Sequence, residues 1–511
     1  VGLKSLLLGR AFGAATDAVK DALDADRLLQ TAMAALIETR KAEHETRPER
    51  GWRPGAPLSL LLAGYVGSRN TGADVRVEEM IRQLRHLFGD EHLDLTVMTI
   101  DREWTRGYFK TVKQILLPQL FPKFLFDEVR RYDGVIACEG SMFKSKFASA
   151  LTTMMVGALG LALAEEKLAV GYGGEAGSMD ESLESLVKRY VKGALIVTRN
   201  VESQKVLERL GIATRLGTDT AWTLGDPPEA LATKLLTRAG WDGQKPVLVI
   251  CPIHPFAWPV RPDPFKAAAH RLTGAYADAH FRSIYFHAQG PEIDKKQQRY
   301  LGALASALRD FRREADVFPI VVGMEALDRG AVEGLVARYE ERFGERLPSF
   351  VSDEHDQHEI VALLRRASML VSSRYHAVVC SMPAGVPSVG VTMDERLRNL
   401  FVERGQPELC VECNDDHLDE KVLAGLRTLH RSPTEVRRGI EKCVAANLIR
   451  LGEMGAHLVE AVRERYPRFP LRPELGTGKD PLAHLPTLPA AQRRILEGQG
   501  LLRKSAAEAT A

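Results

Sequence analysis

Two basic side chains, Arg374 and His376, stand where a strand gives way to a helix. They lie in Val371-Ser-Ser-Arg-Tyr-His-Ala-Val-Val-Cys-Ser-Met-Pro-Ala-Gly-Val-Pro-Ser-Val-Gly390. Met369-Leu-Val371 reads as the end of a buried strand, Gly385 closes a short helix, and Val386-Pro-Ser-Val-Gly-Val391 reads as the next strand. A strand, a polar turn and a helix opening present free backbone N–H groups, which favour anions. An arginine there suits a carboxylate or phosphate, and a histidine suits proton transfer near neutral pH. Ser373 shares the turn.

Other stretches carry the same kind of chemistry. The loop Gly64-Tyr-Val-Gly-Ser-Arg-Asn-Thr-Gly72 follows an apolar run and precedes a helical pattern. Gly67 and Gly72 would let backbone approach a ligand, and Asn70 would hydrogen-bond it; a tight turn that merely needs glycine reads equally well. The spacing is neither that of a dinucleotide fingerprint nor that of a Walker loop. Glu139-Gly-Ser141 ends another apolar run, and Arg199 ends Val197-Thr-Arg. Arg199 would reach an anion or make a salt bridge at a domain edge. Asp219 sits in a turn where it would cap or hold the loop beside a cleft. Asp353-Glu-His-Asp-Gln-His-Glu359 resembles a metal cluster, but the simpler reading is Asp356 as a helix cap, with acids complementing the dipole. Cys410 and Cys413 form a CxxC without a second pair at finger spacing, so no metal site is expected.

Positioning these residues takes alternating strands and helices. Apolar runs begin at Leu58, Leu93, Gly134, Leu168 and Ala194, and again at Val247, Ser283, Phe318 and Met369, with helical patterns between them. That alternation predicts parallel sheets covered on both faces. The fold class expected is α/β and GT-B-like, with two Rossmann-like domains facing a central cleft and helical N- and C-terminal extensions. The boundaries drawn are 1–57 for a helical extension and linker, 58–240 and 241–425 for the two domains, and 426–511 for helices and a frayed tail.

Over 511 residues the net charge is +2, so nothing global points to nucleic acid. Six scattered cysteines fit a reducing cytoplasm. Phe147 to Ala164 carries no charge and approaches the length of a membrane span, yet its Ala, Gly and Thr content reads better as a helix buried against a sheet. No transmembrane span is expected; peripheral contact at the inner face of a membrane stays open, as does the oligomeric state.

Taken together, the Gly64–Gly72 loop, Thr198-Arg-Asn200 with Glu202-Ser203, Asp219-Thr-Ala221, and above all Ser373-Arg-Tyr-His-Ala377 leading to Ala384-Gly-Val-Pro387 resemble the polysaccharide pyruvyl transferase family over roughly residues 58 to 415. The resemblance implies phosphoenolpyruvate as donor and a glycan precursor as acceptor. The enolpyruvyl group passes to the sugar as a ketal, phosphate leaves, and no metal or redox cofactor is required. It assigns catalysis to His376 and Arg374, and substrate binding to Arg199, Asn70, Gly67, Gly72, Asp219, Glu139 and Ser373. The sequence departs from the family at Asn70-Thr-Gly-Ala73, Arg199-Asn200, Cys138-Glu-Gly-Ser141 and Met393-Asp-Glu-Arg396. Two alternatives therefore stay open: a nucleotide-sugar glycosyltransferase on the same scaffold, and a diverged homologue that binds without catalysis.

Overall fold

The structure is a computed structural model that describes residues 25–47, 51–274, 285–477 and 480–503. The helical periodicity read at Ala18 to Leu23 lies outside these residues. The first sheet comprises β1 (Leu58–Val66), β2 (Leu93–Thr99), β3 (Lys113–Leu116), β4 (Gly134–Ala137), β5 (Leu168–Gly174), β6 (Leu195–Thr198) and β7 (Arg215–Leu216). Its order is β3-β2-β1-β4-β5-β6-β7, and every pairing is parallel. β1, β4 and β5 are almost wholly buried, as continuous apolar runs in a parallel sheet should be.

β8 (Val247–Cys251) opens the second sheet, and β9 (Arg261–Pro262) and β10 (Tyr285–Phe286) form a separate antiparallel ribbon. β11 (Phe318–Gly323), β12 (Ser349–Val351), β13 (Met369–Ser372), β14 (Ser388–Thr392) and β15 (Cys410–Glu412) complete the second sheet, in the order β12-β11-β8-β13-β14-β15. The strand expected at Ser283 to Phe286 is thus a correction: its described part pairs with Arg261–Pro262 outside the parallel sheet. Two residues of ladder cannot bury an apolar run on both faces, so the segment stays at the surface of the layer.

Strand order reverses between β1 and β4 in one sheet and between β8 and β13 in the other. At each reversal the loops leave the carboxyl ends of the strands in opposite directions and open a crevice. The two crevices share one cleft, with Asn70 and Glu139 from the first sheet and His254 and Arg374 from the second along its wall. This is the GT-B-like arrangement. Thr71 donates its backbone N–H to the Met324 carbonyl (2.8 Å), and Lys144 pairs with Glu395 (3.0 Å), so the two halves are stitched together on either side of the cleft.

The uncharged stretch forms the helix Ser149–Ala164, packed on β4 and β5 and buried over nearly its whole length. The N-terminal helix Ala25–Thr46 covers it closely, since a Cβ on Gly157 would stand 2.5 Å from the Met33 sulfur. No helix among the described residues is long and apolar enough to cross a membrane.

The long helix Pro433–Arg465 returns from the second sheet to pack beside β5, β6 and β7. The tail beyond it is a second correction: up to residue 503 it is docked rather than frayed. Leu496 and Gln492 are fully buried, and Gln492 donates to the carbonyls of Trp222 (3.2 Å) and Leu224 (2.9 Å). Proline punctuation broke the helical pattern without removing the apolar anchors Leu485, Ile495 and Leu496, which bury against the body. Replacing Leu496 with Ala should cost about 2–5 kcal/mol of local stability. The loss should appear as faster proteolysis within residues 466–503 and an earlier thermal transition.

Candidate functional site

Asp219 anchors the inner end of the cleft. It is fully buried, and its Oδ1 caps the short turn Thr220–Thr223 by accepting from the Ala221 N–H (3.0 Å). Its Oδ2 receives three groups: the Arg76 guanidinium, Arg199 Nη1 (3.2 Å), and His376 Nε2 (3.3 Å). Burial works to raise the Asp219 pKa, but Arg76, His376 and Arg199 outweigh it and hold the carboxyl well below the usual range. Asp219 therefore positions His376 and does not itself face a ligand, which corrects the substrate-binding role expected of it.

His376 comes from the second half of the chain, in the first turn of the helix Tyr375–Ser381. Its ring lies against Gly72, at the start of the helix Thr71–Phe88 in the first half. A Cβ at Gly72 would stand 2.2 Å from His376 Nδ1, so glycine is what admits the imidazole there. Burial lowers the His376 pKa, Arg76 and Arg199 add to the effect, and Asp219 opposes it. The imidazole is consequently neutral at neutral pH in the unliganded site.

Both candidate arginines are already paired. Arg199 donates to Glu175 (2.8 Å) and lies 4.4 Å over the Tyr375 ring, and Glu175 is also held by Lys144 (2.6 Å). Arg374 pairs with Glu325 (2.9 Å) and Asp328 while a fifth of its side chain stays exposed. Burial pushes the Asp328 carboxyl up to about 6 in spite of Arg374. Ser373 also lines the cleft, its hydroxyl 2.8 Å from that of Tyr300.

The glycine loop is shorter than its sequence suggested, because β1 runs to Val66 and the helix starts at Thr71. Asn70 is its N-cap, with Oδ1 accepting from the Gly72 and Ala73 N–H groups (3.1 and 3.3 Å), so this oxygen is committed although the residue lines the cleft. Gly67 does not line it. Its φ of +92° makes a turn against Thr99 and Asp101, which corrects the binding role expected there. Glu139, at the tip of β4, lines the cleft and accepts the Tyr65 N–H (2.8 Å) through Oε1. Burial raises its pKa against the pull of that N–H and of Arg76. Asp356 caps its helix in a capping box with Glu359, and Asp353 pairs with Arg329, as dipole and cap chemistry would have it.

Sequence reasoning missed Arg76, Glu175, Asp328 and Lys144. All four are buried and distant in the chain from their partners, and their only local signal is a charge inside an apolar pattern. It also missed the outer end of the cleft, where Trp258 packs between Phe147 (5.0 Å) and His287 (4.7 Å). The whole cleft has a volume of about 1320 Å³.

A two-sheet scaffold with cations, carboxylates and a histidine converging where both strand orders reverse is a group-transfer enzyme of GT-B type. The profile of the polysaccharide pyruvyl transferase family matches residues 70–395, more than half of the chain, and the protein belongs to that family. No curated protein matches the sequence. Among solved structures the chain is similar to UDP-GlcNAc 2-epimerase from Neisseria meningitidis bound to UDP-GlcNAc, at 10% identity and a TM-score of 0.48, over 80% of this chain and 100% of that one. It is also similar to the UDP-GlcNAc 2-epimerase from Methanocaldococcus jannaschii, at 11% identity and a TM-score of 0.47, over 73% of this chain and 92% of that one.

Replacing Asp219 with Asn should leave Arg76 and Arg199 buried with a weakened partner and cost about 3–5 kcal/mol, measured by denaturant unfolding. In the intact protein, the His376 imidazole should titrate below the ordinary histidine range when followed by NMR.

Proposed function

We propose that the protein transfers the enolpyruvyl group of phosphoenolpyruvate to a sugar of a polysaccharide or glycan precursor, forming a ketal and releasing phosphate. The observation that carries this reading is the seating of His376 against Asp219 and Gly72, beside an Arg374 whose carboxylate partner, Asp328, has a raised pKa. Asp328 and Glu325 occupy the positions that a phosphate or carboxylate would take on Arg374. A ligand anion competes for the exposed part of the guanidinium, and protonation of Asp328 removes the competitor. The same anion raises the His376 pKa, so a residue neutral in the empty site becomes the imidazolium that protonates the donor methylene carbon. C2 then becomes electrophilic, and the sugar hydroxyl attacks it. The aromatic group around Trp258 suits the apolar faces of a sugar ring.

Donor binding should therefore take up protons. Asp328, with its raised pKa, favours binding in its protonated form, so affinity for phosphoenolpyruvate should be higher at about pH 6 than at about pH 8. Calorimetry in buffers of different ionisation enthalpy reads both effects. His376→Ala should lower kcat by about 10²–10⁴-fold while phosphoenolpyruvate still raises the melting temperature. Arg374→Ala should weaken donor binding by about tenfold or more. A thermal shift with a nucleotide sugar and none with phosphoenolpyruvate would overturn the assignment.

A further inference from the structure

Ketal formation consumes two hydroxyl protons, and His376 accounts for the proton delivered to carbon rather than for both of those removed. Glu139 is placed for the missing step. It stands at the tip of β4, where the first sheet reverses its strand order, and it lines the cleft. The Tyr65 N–H fixes Oε1, and among the described residues neither carboxylate oxygen enters a salt bridge. Four nearby acids, Asp219, Glu175, Glu325 and Asp328, are each held by arginine or lysine. Glu139 also flanks the group that seats His376, because a Cβ on the next residue, Gly140, would lie 3.1 Å from Arg199 Nη1 and 3.5 Å from Arg76 Nη1.

We propose that Glu139 is the general base of the transfer, taking the proton of the first acceptor hydroxyl. The proposal rests on phosphoenolpyruvate being the donor. The His376 imidazolium gives its proton to C3 as the C2–C3 π pair moves there. The hydroxyl oxygen bonds to C2, and its proton passes to Glu139. The C2–O bond to phosphorus then breaks, and phosphate leaves with the electron pair and takes the proton from Glu139. The second hydroxyl closes the ketal at C2 and returns a proton to His376. One phosphoenolpyruvate and two hydroxyls yield one ketal and hydrogen phosphate, with both side chains restored and no further reactant.

The surroundings suit this cycle. Burial raises the Glu139 pKa, so the carboxylate gains by accepting a proton. The charged and titratable groups facing it are Arg76 and Asp74 on the helix Thr71–Phe88, Tyr65 on β1, Cys138 beside it, and Glu325 after β11. The acid limb of kcat should accordingly belong to Glu139.

The test measures phosphate release from phosphoenolpyruvate with p-nitrophenyl hexosides as acceptors, and with water alone. Thermal shift with phosphoenolpyruvate is recorded in parallel. Glu139→Gln should lower kcat by about 10²–10⁴-fold, abolish the acid limb and leave the thermal shift within about twofold in ligand concentration. Glu139→Gly makes room for a small carboxylate, and formate should restore part of its turnover while leaving the Gln variant inactive. Glu139→Gln turning over within about threefold of the wild type with its acid limb intact would overturn the base role alone. A wild-type protein that shows neither thermal shift nor phosphate release would overturn the donor assignment, and the base role with it.

Discussion

Asp219 is the point on which the site depends. One fully buried carboxylate cannot stay ionised without partners, and this one is surrounded by two arginines and His376. Arg76 rises from the helix Thr71–Phe88, Arg199 from the tip of β6, and His376 from the helix Tyr375–Ser381 that follows β13. The two arginines of the first half balance the buried charge, and the His376 ring brings the second half to the same carboxylate.

Backbone complements this electrostatic constraint. The Thr71 N–H to Met324 carbonyl bond spans the halves one residue from Gly72, and the Ser352 hydroxyl reaches the Arg69 carbonyl (2.6 Å). These neutral bonds do not titrate. They hold the loop after β1 in register with the loop after β11, so Arg374 and Glu325 meet the cleft beside the capped helix N-terminus. On the other side, Lys144 is shared between Glu175 of the first half and Glu395 of the second, extending the same paired chemistry along the wall.

The arginines of the cleft are paired, but not in equal settings. Arg199 holds Glu175 in a fully buried setting, where burial of the carboxylate is outweighed by Arg199, Lys144 and Arg396. Arg374 holds Asp328 in a setting where burial wins and the carboxylate is easily protonated. Of the two, Arg374 is the one whose partner is more readily protonated, and Arg199 lies over Tyr375.

By itself the sequence determined the class of fold and brought the residues of the Arg-x-His turn together. Continuous apolar runs of strand length alternating with helices specify parallel sheets, and the Arg-x-His turn is local, so its residues remain neighbours in space. The cap at Asp356 and the buried uncharged helix were legible for the same reason: their physics acts within a few residues. Strand order, and with it the meeting of two crevices, was decided only by tertiary structure. So was the docking of the tail, whose anchors find their partners at Trp222 and Leu224, more than two hundred residues away. Tertiary structure also settled which charges face a ligand and which are spent on one another. A buried ion pair such as Arg76 with Asp219 leaves no local pattern, because its partners stand 143 residues apart and their attraction offsets desolvation only once both are buried together.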